Sequence, residues 1–278
     1  MLHYSVFVSE IRPIVIADLP PNTTQRTWSP ISATLIDGER DAVLVDPLMT
    51  IEDGRALAEW VAGTGKNLIA IYSTHGHGDH FFGAAVVRRR FPSARFLATP
   101  AVIRKMRQQV SPESLESFWK PLLPNQIPND LIVAEPLAGG AIDLEGEDVV
   151  VVPLGHTDTD DTTCLHVPSI GLVVAGDAAY NDVHLYLGES DPLLRGEWIA
   201  ALDTIESLRP RAVIAGHKRR ERDDDPRILE ETRQYIRDFN RIAESAKTAL
   251  DLYTRMLALY PDRVNPGVLW ASARALKH

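Results

Sequence analysis

Three apolar stretches of this chain end in the same way. VVVVPLGH reaches His156 behind Gly155, GLVVAGD reaches Asp177 behind Gly176, and AVIAGH reaches His217 behind Gly216. Each run has strand length, and a glycine at its end lets the backbone bend at a sheet edge. A chain built this way needs a layered sheet structure in which the residues after the glycines meet. A fourth run, LIAIYS (68–73), leads directly into THGHGDH (74–80), which holds three of the nine histidines.

In an extended segment, side chains at i and i+2 point to the same side. His75 and His77 therefore present two imidazoles to one point. Asp79 and His80 fall where the chain turns into the next helix, and aim at a second point nearby. Gly76 and Gly78 keep side chains out of the way and permit sharp turns. Imidazole with carboxylate suits zinc, iron or manganese. A lone histidine is usually an ordinary polar residue, and Asp177 alone would read as a turn residue or cap. Taken together, these residues read as a metal-ligand constellation.

The remaining elements fit around that edge. YSVFV, ISATLID and AVLVD read as strands, EDGRALAEWVAGTG (52–65) and GAAVVRRRF (83–91) as helices, and RFLAT as a strand. Residues 100–130 are helical and proline-broken, an insertion beside the sheet and a candidate lid. AIDL, DVVVVPL, TCLHVP and GLVVAGD follow, with EGED and SIG as hairpin turns. RGEWIAALDTIESLRP is an amphipathic helix, AVIAG a buried strand, and the chain from Pro226 onward is nearly all helical. The expected organisation is one α/β domain over 1–225 with a helical extension over 226–278 packed on it.

Composition limits the partners. A net charge of −9 disfavours nucleic acid or an anionic membrane, because phosphate binding needs a basic face. Cys164 is the only cysteine, so no internal disulfide forms, and it reads as a small buried apolar side chain. The N-terminus lacks a basic start with a long apolar run, and no stretch approaches the ~20 apolar residues of a membrane span. The expectation is a cytoplasmic protein acting on a small molecule.

The motifs AVLVDP with Asp46, THGHGDH, LGHT with His156, AGD with Asp177 and AGH with His217 resemble those of the metallo-β-lactamase-fold superfamily, in the same order. The resemblance covers roughly residues 30–220. Leu154 precedes Gly155-His156 where many members have proline. The resemblance implies a four-layer αββα sandwich. It implies one metal on His75, His77 and His156, a second on Asp79, His80 and His217, and Asp177 bridging them. Asp46 would steady the metal loop by hydrogen bonds, and Asp79 would orient the nucleophile or pass a proton.

Two divalent cations ~3.5–4 Å apart share a water and lower its pKa from 15.7 toward ~7. The resulting metal-bound hydroxide attacks an electrophilic carbonyl or phosphorus. A cysteine at position 177 would resemble one class of true β-lactamase. The aspartate resembles the dinuclear lactonases, glyoxalase II-like thioesterases and phosphodiesterases. The expected activity is hydrolysis of a small carboxylic ester, lactone or thioester with two ions, zinc first and manganese or iron as alternatives. A mononuclear iron persulfide dioxygenase is the alternative, and β-lactam hydrolysis a lesser side activity. A metal-binding protein without turnover is a third class. No G-x-S-x-G sequence supports a serine triad.

Around the expected metals, AAYNDVHLYLGES supplies Tyr180, His184 and Tyr186 as candidate pocket residues, with Tyr180 and His184 as catalytic candidates. Phe118 and Trp119 are candidates for an apolar lid, Trp28 and Met49 for neighbouring loops, and Phe81 and Phe82 for helix-on-sheet packing. Arg88, Arg89 and Arg90 point to different sides of a helix and read as a solvated face. KRRER (218–222) could reach an anion, but Asp223, Asp224 and Asp225 compete for it. His3, His166 and His278 read as ordinary residues. The helical tail covers one sheet or forms a homodimer contact.

Overall fold

The computed structural model describes residues 1–277, and His278 lies outside them. The strands are β1 (His3–Val8), β2 (Arg12–Ile14), β3 (Arg26–Trp28), β4 (Ser32–Asp37), β5 (Asp41–Val45), β6 (Asn67–Tyr72), β7 (Arg95–Ala98), β8 (Glu135–Pro136), β9 (Ala141–Leu144), β10 (Glu147–Gly155), β11 (Thr162–Val167), β12 (Leu172–Asn181) and β13 (Ala212–Lys218). The helices are α1 (Ile51–Gly63), α2 (Ala84–Arg90), α3 (Pro100–Gln109), α4 (Pro112–Ser114), α5 (Lys120–Leu122), α6 (Pro192–Ser207), α7 (Ile228–Ser245), α8 (Ala249–Leu259) and α9 (Pro266–Leu276).

Period-two alternation sorts these elements into layers. Sheet β1-β4-β5-β6-β7-β8 faces sheet β13-β12-β11-β10-β9. Ile36, Val43, Val45 and Tyr72 of the first meet Leu165, Leu172, Val174 and Ile214 of the second in the central core. Their neighbours Leu35, Leu44 and Ile71 turn outward onto Leu57 and Val61 of α1 and Val87 of α2. Val173, Val213 and Ala215 turn outward onto Trp198 of α6 and Tyr235 and Phe239 of α7. The result is an α/β fold of the αββα type, with the tail helices α7, α8 and α9 in the same outer core as α6. Cys164 is fully buried in β11. No helix among the described residues is long and apolar enough to cross a membrane.

The short β2–β3 ribbon has no counterpart in the sequence reading, because three-residue strands show no period. Its position is fixed from outside. Thr50 caps α1 by accepting from the Asp53 N–H, and the Asp53 carboxylate accepts two bonds from Arg12 at 2.7 and 2.8 Å. Arg12 belongs to β2, so the ribbon is tied to the first helix layer, which places β3 over the sheet edge.

At the far end of β5 a different clasp joins the sheets. Glu145 and Gly146 take positive φ (56° and 84°) in the β9–β10 turn. The Glu145 carboxylate accepts the N–H groups of Glu39, Arg40 and Asp41 at 2.6–2.8 Å. Those bonds hold its pKa down to about 2, from an ordinary 4.5. A depressed carboxylate stabilises the fold fully above its unfolded pKa and loses that contribution as pH falls through the folded one. Glu145→Gln is therefore expected to lower the denaturation midpoint at pH 6, with the gap to the parent closing between about pH 4.5 and 2. Urea titrations of both proteins across that range check this, and a gap that is constant with pH would count against the clasp.

Candidate metal centre

Ligand-type residues meet at one edge of the facing sheets. Asp46 follows β5, the segment 75–80 follows β6, and His156 and Asp158 follow β10. Asp177 and His217 lie within β12 and β13 rather than beyond them. β12 reaches the edge through register shifts around Gly176, whose φ is +54° and whose Cβ, were it an alanine, would fall 2.3 Å from Thr74 Oγ1. Gly216 has no positive φ, so its role is close approach, not the bend expected from sequence.

Two donor groups form. In one, His75 Nε2 lies 3.7 Å and His77 Nδ1 2.8 Å from Asp158 Oδ2. In the other, His80 Nε2 and His217 Nε2 lie 3.6 and 3.5 Å from Asp79 Oδ2, and 3.1 and 3.2 Å from the two oxygens of Asp177. The His75 and His80 rings are 4.4 Å apart, so the groups share a wall. His156 is buried beside Asp158 in the chain but stands outside the tight first group. Asp158 stands in HTDTDD beside Asp160 and Asp161, and no local sequence signal distinguishes it from them.

The imidazoles are oriented from behind. Thr74 Oγ1 donates its one proton to Asp46 Oδ2 (2.8 Å), so it accepts from His75 Nδ1 (3.0 Å) and leaves Nε2 as the free lone pair. His217 Nδ1 donates to the Pro30 carbonyl (3.0 Å), and His156 Nδ1 to Asp160 (2.7 Å). His77 is turned the other way, Nε2 donating to Glu189 (3.1 Å). Glu189 also accepts from Lys105 of α3 (2.8 Å) and Thr159 (3.0 Å), which ties the insertion to the site. Asp46 also lies near His75 and His80, but Thr74 engages both its oxygens.

Electrostatics match a cation site. Burial lowers the His75 pKa despite the pull of Asp158. Burial disfavours charge on His77, His80 and His217 as well, but there the carboxylates prevail. Asp158 and Glu189 lift His77 to about 10, Asp177 and Asp79 lift His217 to about 9, and Asp177 raises His80 well above its usual value. Against burial, the imidazoles hold Asp79, Asp158 and Asp177 below the carboxylate range. Among the described residues, buried His75 Nε2, His80 Nε2 and His156 Nε2 make no well-oriented hydrogen bond, and Asp158 Oδ2 and Asp177 Oδ1 meet imidazole nitrogens only in ion-pair contacts. Orphaned buried donors and acceptors are costly, and a divalent cation satisfies such a set while displacing its protons. The residues fit metal ions.

A cavity of about 260 Å³ opens beside the centre, lined by His77, Asp79, Asp177 and His217 and walled by Trp28, Phe118 and Trp119. The Trp28 indole donates to Asp79 Oδ2 (3.0 Å). Tyr180 and Tyr186 line it too. Tyr180 donates to Asp177 Oδ2 (2.8 Å), and burial together with Asp177 keeps it protonated. Met49 is buried in the outer core and does not line the cavity, and Phe81 and Phe82 pack in that same core. The basic runs are spent internally. Lys218 pairs with Asp224, Arg219 with Asp182, Arg220 with Glu10 and Arg89 with Asp130.

His184 corrects the sequence expectation. It is fully buried, with Nδ1 2.9 Å from the Tyr235 hydroxyl, and is not among the cavity's lining residues. Burial, with Arg263 nearby, pushes its pKa down to about 3, so it stays neutral. His184→Ala is expected to leave metal content and any metal-dependent turnover within about twofold. It should cost about 1–3 kcal/mol of stability, because the Tyr235 hydroxyl loses its partner. Elemental analysis with thermal unfolding checks both.

Comparison with known proteins agrees with this fold. The structure is similar to a metallo-beta-lactamase family protein of Thermus thermophilus at 21% identity and TM-score 0.64, covering 98% of this chain and 91% of that one. It is similar to the DIM-1 metallo-beta-lactamase at 18% identity and TM-score 0.57, covering 82% and 99%. It is also similar to a metallo-beta-lactamase from Pontibacter korlensis at 14% identity and TM-score 0.59, covering 82% and 100%. A sequence comparison with curated proteins gives no match. The family model described as the metallo-beta-lactamase superfamily matches residues 26–217, across both donor groups, and the chain belongs to that superfamily.

Proposed function

We propose that the chain is a hydrolase that holds two divalent cations and cleaves a small carboxylic ester, lactone or thioester. The observation that carries this reading is the pair of donor groups sharing the His75–His80 wall and opening on one cavity. His75, His77 and Asp158, with His156 beside them, would hold one ion. Asp79, His80 and His217, with Asp177 between the sites, would hold the other. Zinc suits the imidazoles, and the carboxylate share leaves manganese and iron as alternatives. Bound cations of this kind acidify a water and polarise the attacked oxygen.

The chain's own residues do the rest. Asp79, held by the Trp28 indole, faces the cavity, where a carboxylate orients a water and takes up its proton. Tyr180 commits its proton to Asp177 and so positions that carboxylate. Trp28, Phe118 and Trp119 keep bulk water from the reacting group. The cavity size favours a small molecule, and the internally paired arginines argue against nucleic acid or a membrane. A strained β-lactam amide is a side substrate of the same machinery.

One observation favours a second reading. His75, His77 and Asp158 are two imidazoles and a carboxylate, the donor set of non-haem iron oxygenases. Elemental analysis of protein purified without added metal separates the two, followed by a panel of lactones, thioesters, phosphodiesters and β-lactams. About two zinc or manganese per chain, with turnover lost to chelator and restored by metal, supports the hydrolase. One iron per chain with oxygen uptake on glutathione persulfide overturns it.

A further inference from the structure

The cavity has a polar end that metal chemistry does not use. Arg26 lines it and is nine-tenths buried. Among the described residues its side chain makes one hydrogen bond, Nη1 to the Asp18 carbonyl at 3.1 Å, while Nε is buried without a partner. The Asp18 carboxylate is engaged elsewhere, accepting from the Trp270 indole (3.0 Å) and facing Arg274 (3.7 Å). A guanidinium carries five donors, and burying it unpaired is costly.

Asn265 borders the same patch. Its Nδ2 donates to Ser29 Oγ (2.7 Å), and among the described residues its buried Oδ1 has no partner. A Cβ at Gly267 would lie 3.1 Å from Asn265 Oδ1 and 3.3 Å from Arg26 Nε, so the two are neighbours. Ser29 can donate as well as accept, so the amide can turn either its oxygen or its nitrogen to a ligand.

The patch has a defined place relative to the metal centre. Arg26 and Trp28 are at i and i+2 of β3, on one side of the strand and ~7 Å apart. Trp28 holds Asp79. Ile14, Ile16, Leu122 and Val268 supply apolar wall around them.

We propose that Arg26, with Asn265, binds a carboxylate on the substrate, separated from the scissile carbonyl by an apolar spacer. The substrate class is then an acyl compound with one remote carboxylate. This rests on the hydrolase reading above, and the test keeps the two apart.

The probes are 4-phenylbutyrate and its neutral amide, titrated calorimetrically into metal-loaded and chelator-stripped protein. The parent should bind the acid at least about tenfold more tightly than the amide. The preference should survive stripping, vanish in Arg26→Gln and partly persist in Arg26→Lys. Arg26→Gln should not lower the thermal midpoint, since it removes an unpaired buried charge. Equal binding of acid and amide overturns the proposal. So does a preference that survives Arg26→Gln or disappears on stripping, which would put the acid on the metals. A second arm compares mono-4-nitrophenyl glutarate with 4-nitrophenyl butyrate, and Arg26→Gln should raise KM for the first alone. If neither ester is hydrolysed but acid binding still needs Arg26, the ester-hydrolase reading fails and the patch stands. If both are hydrolysed and Arg26→Gln affects them equally, the patch fails and the hydrolase stands.

Discussion

On the proposed hydrolase reading, Asp177→Asn is expected to lower the divalent-cation content of the purified chain and to lower turnover by about 10³-fold or more. The substitution keeps the shape of the side chain and removes its charge. One Asp177 oxygen lies 3.1 Å from His80 Nε2, and the other lies 3.2 Å from His217 Nε2 and accepts the Tyr180 hydroxyl. No other carboxylate of the centre lies this close to both imidazoles, so its loss leaves the second donor group with Asp79 as its only anion. Asp160→Asn makes a graded comparison. Asp160 touches only the back of His156 and its side chain is 80% exposed, so metal affinity should fall by about 10–100-fold at most. Elemental analysis after dialysis, beside turnover on whichever panel substrate is cleaved, reads both variants. An Asp177→Asn protein with its full metal content and turnover within tenfold of the parent would remove Asp177 from the centre.

The contrast between what the sequence reveals and what it hides follows from range. THGHGDH and the glycine-ended strands are legible because i, i+2 geometry and apolar runs are local. The same reasoning cannot separate acids in HTDTDD. Asp158 is fully buried while the side chains of Asp160 and Asp161 are 80% and 51% exposed, and only the fold decides which one turns inward. Glu189 and Arg26 depend on contacts from remote segments, Lys105 for one and the Arg12–Asp53 tie for the other. His184 misleads for a related reason. Seven residues from Asp177 looks near in sequence, and Tyr186 two residues further on does line the cavity, but His184 turns its ring onto Tyr235 of α7, a contact from a remote segment.

Gly216→Ala is expected to lower the thermal midpoint by about 5–10 °C and to deplete bound metal with it. Its Cβ would fall 2.0 Å from Asp177 Oδ1, 2.7 Å from the Gly176 carbonyl carbon and 2.9 Å from the Asp177 backbone nitrogen. The first contact could be relieved by swinging the carboxylate, but that takes Asp177 away from His80 and His217. The other two are backbone atoms of the adjacent parallel strand, and no rotamer relieves them. β12 and β13 would have to separate where Gly176 pairs with Ala215. Overpacking of this kind costs about 1–3 kcal/mol and occasionally more. Gly196→Ala is the matched opposite. Gly196 sits inside α6, exposed, with nothing within 4 Å of an added Cβ. There the methyl meets no neighbour and reduces the freedom of the unfolded chain, so stability should rise by about 0.4–1 kcal/mol with metal content unchanged. If both variants shift the midpoint in the same direction, close approach of the two strands is not what the glycine at 216 provides.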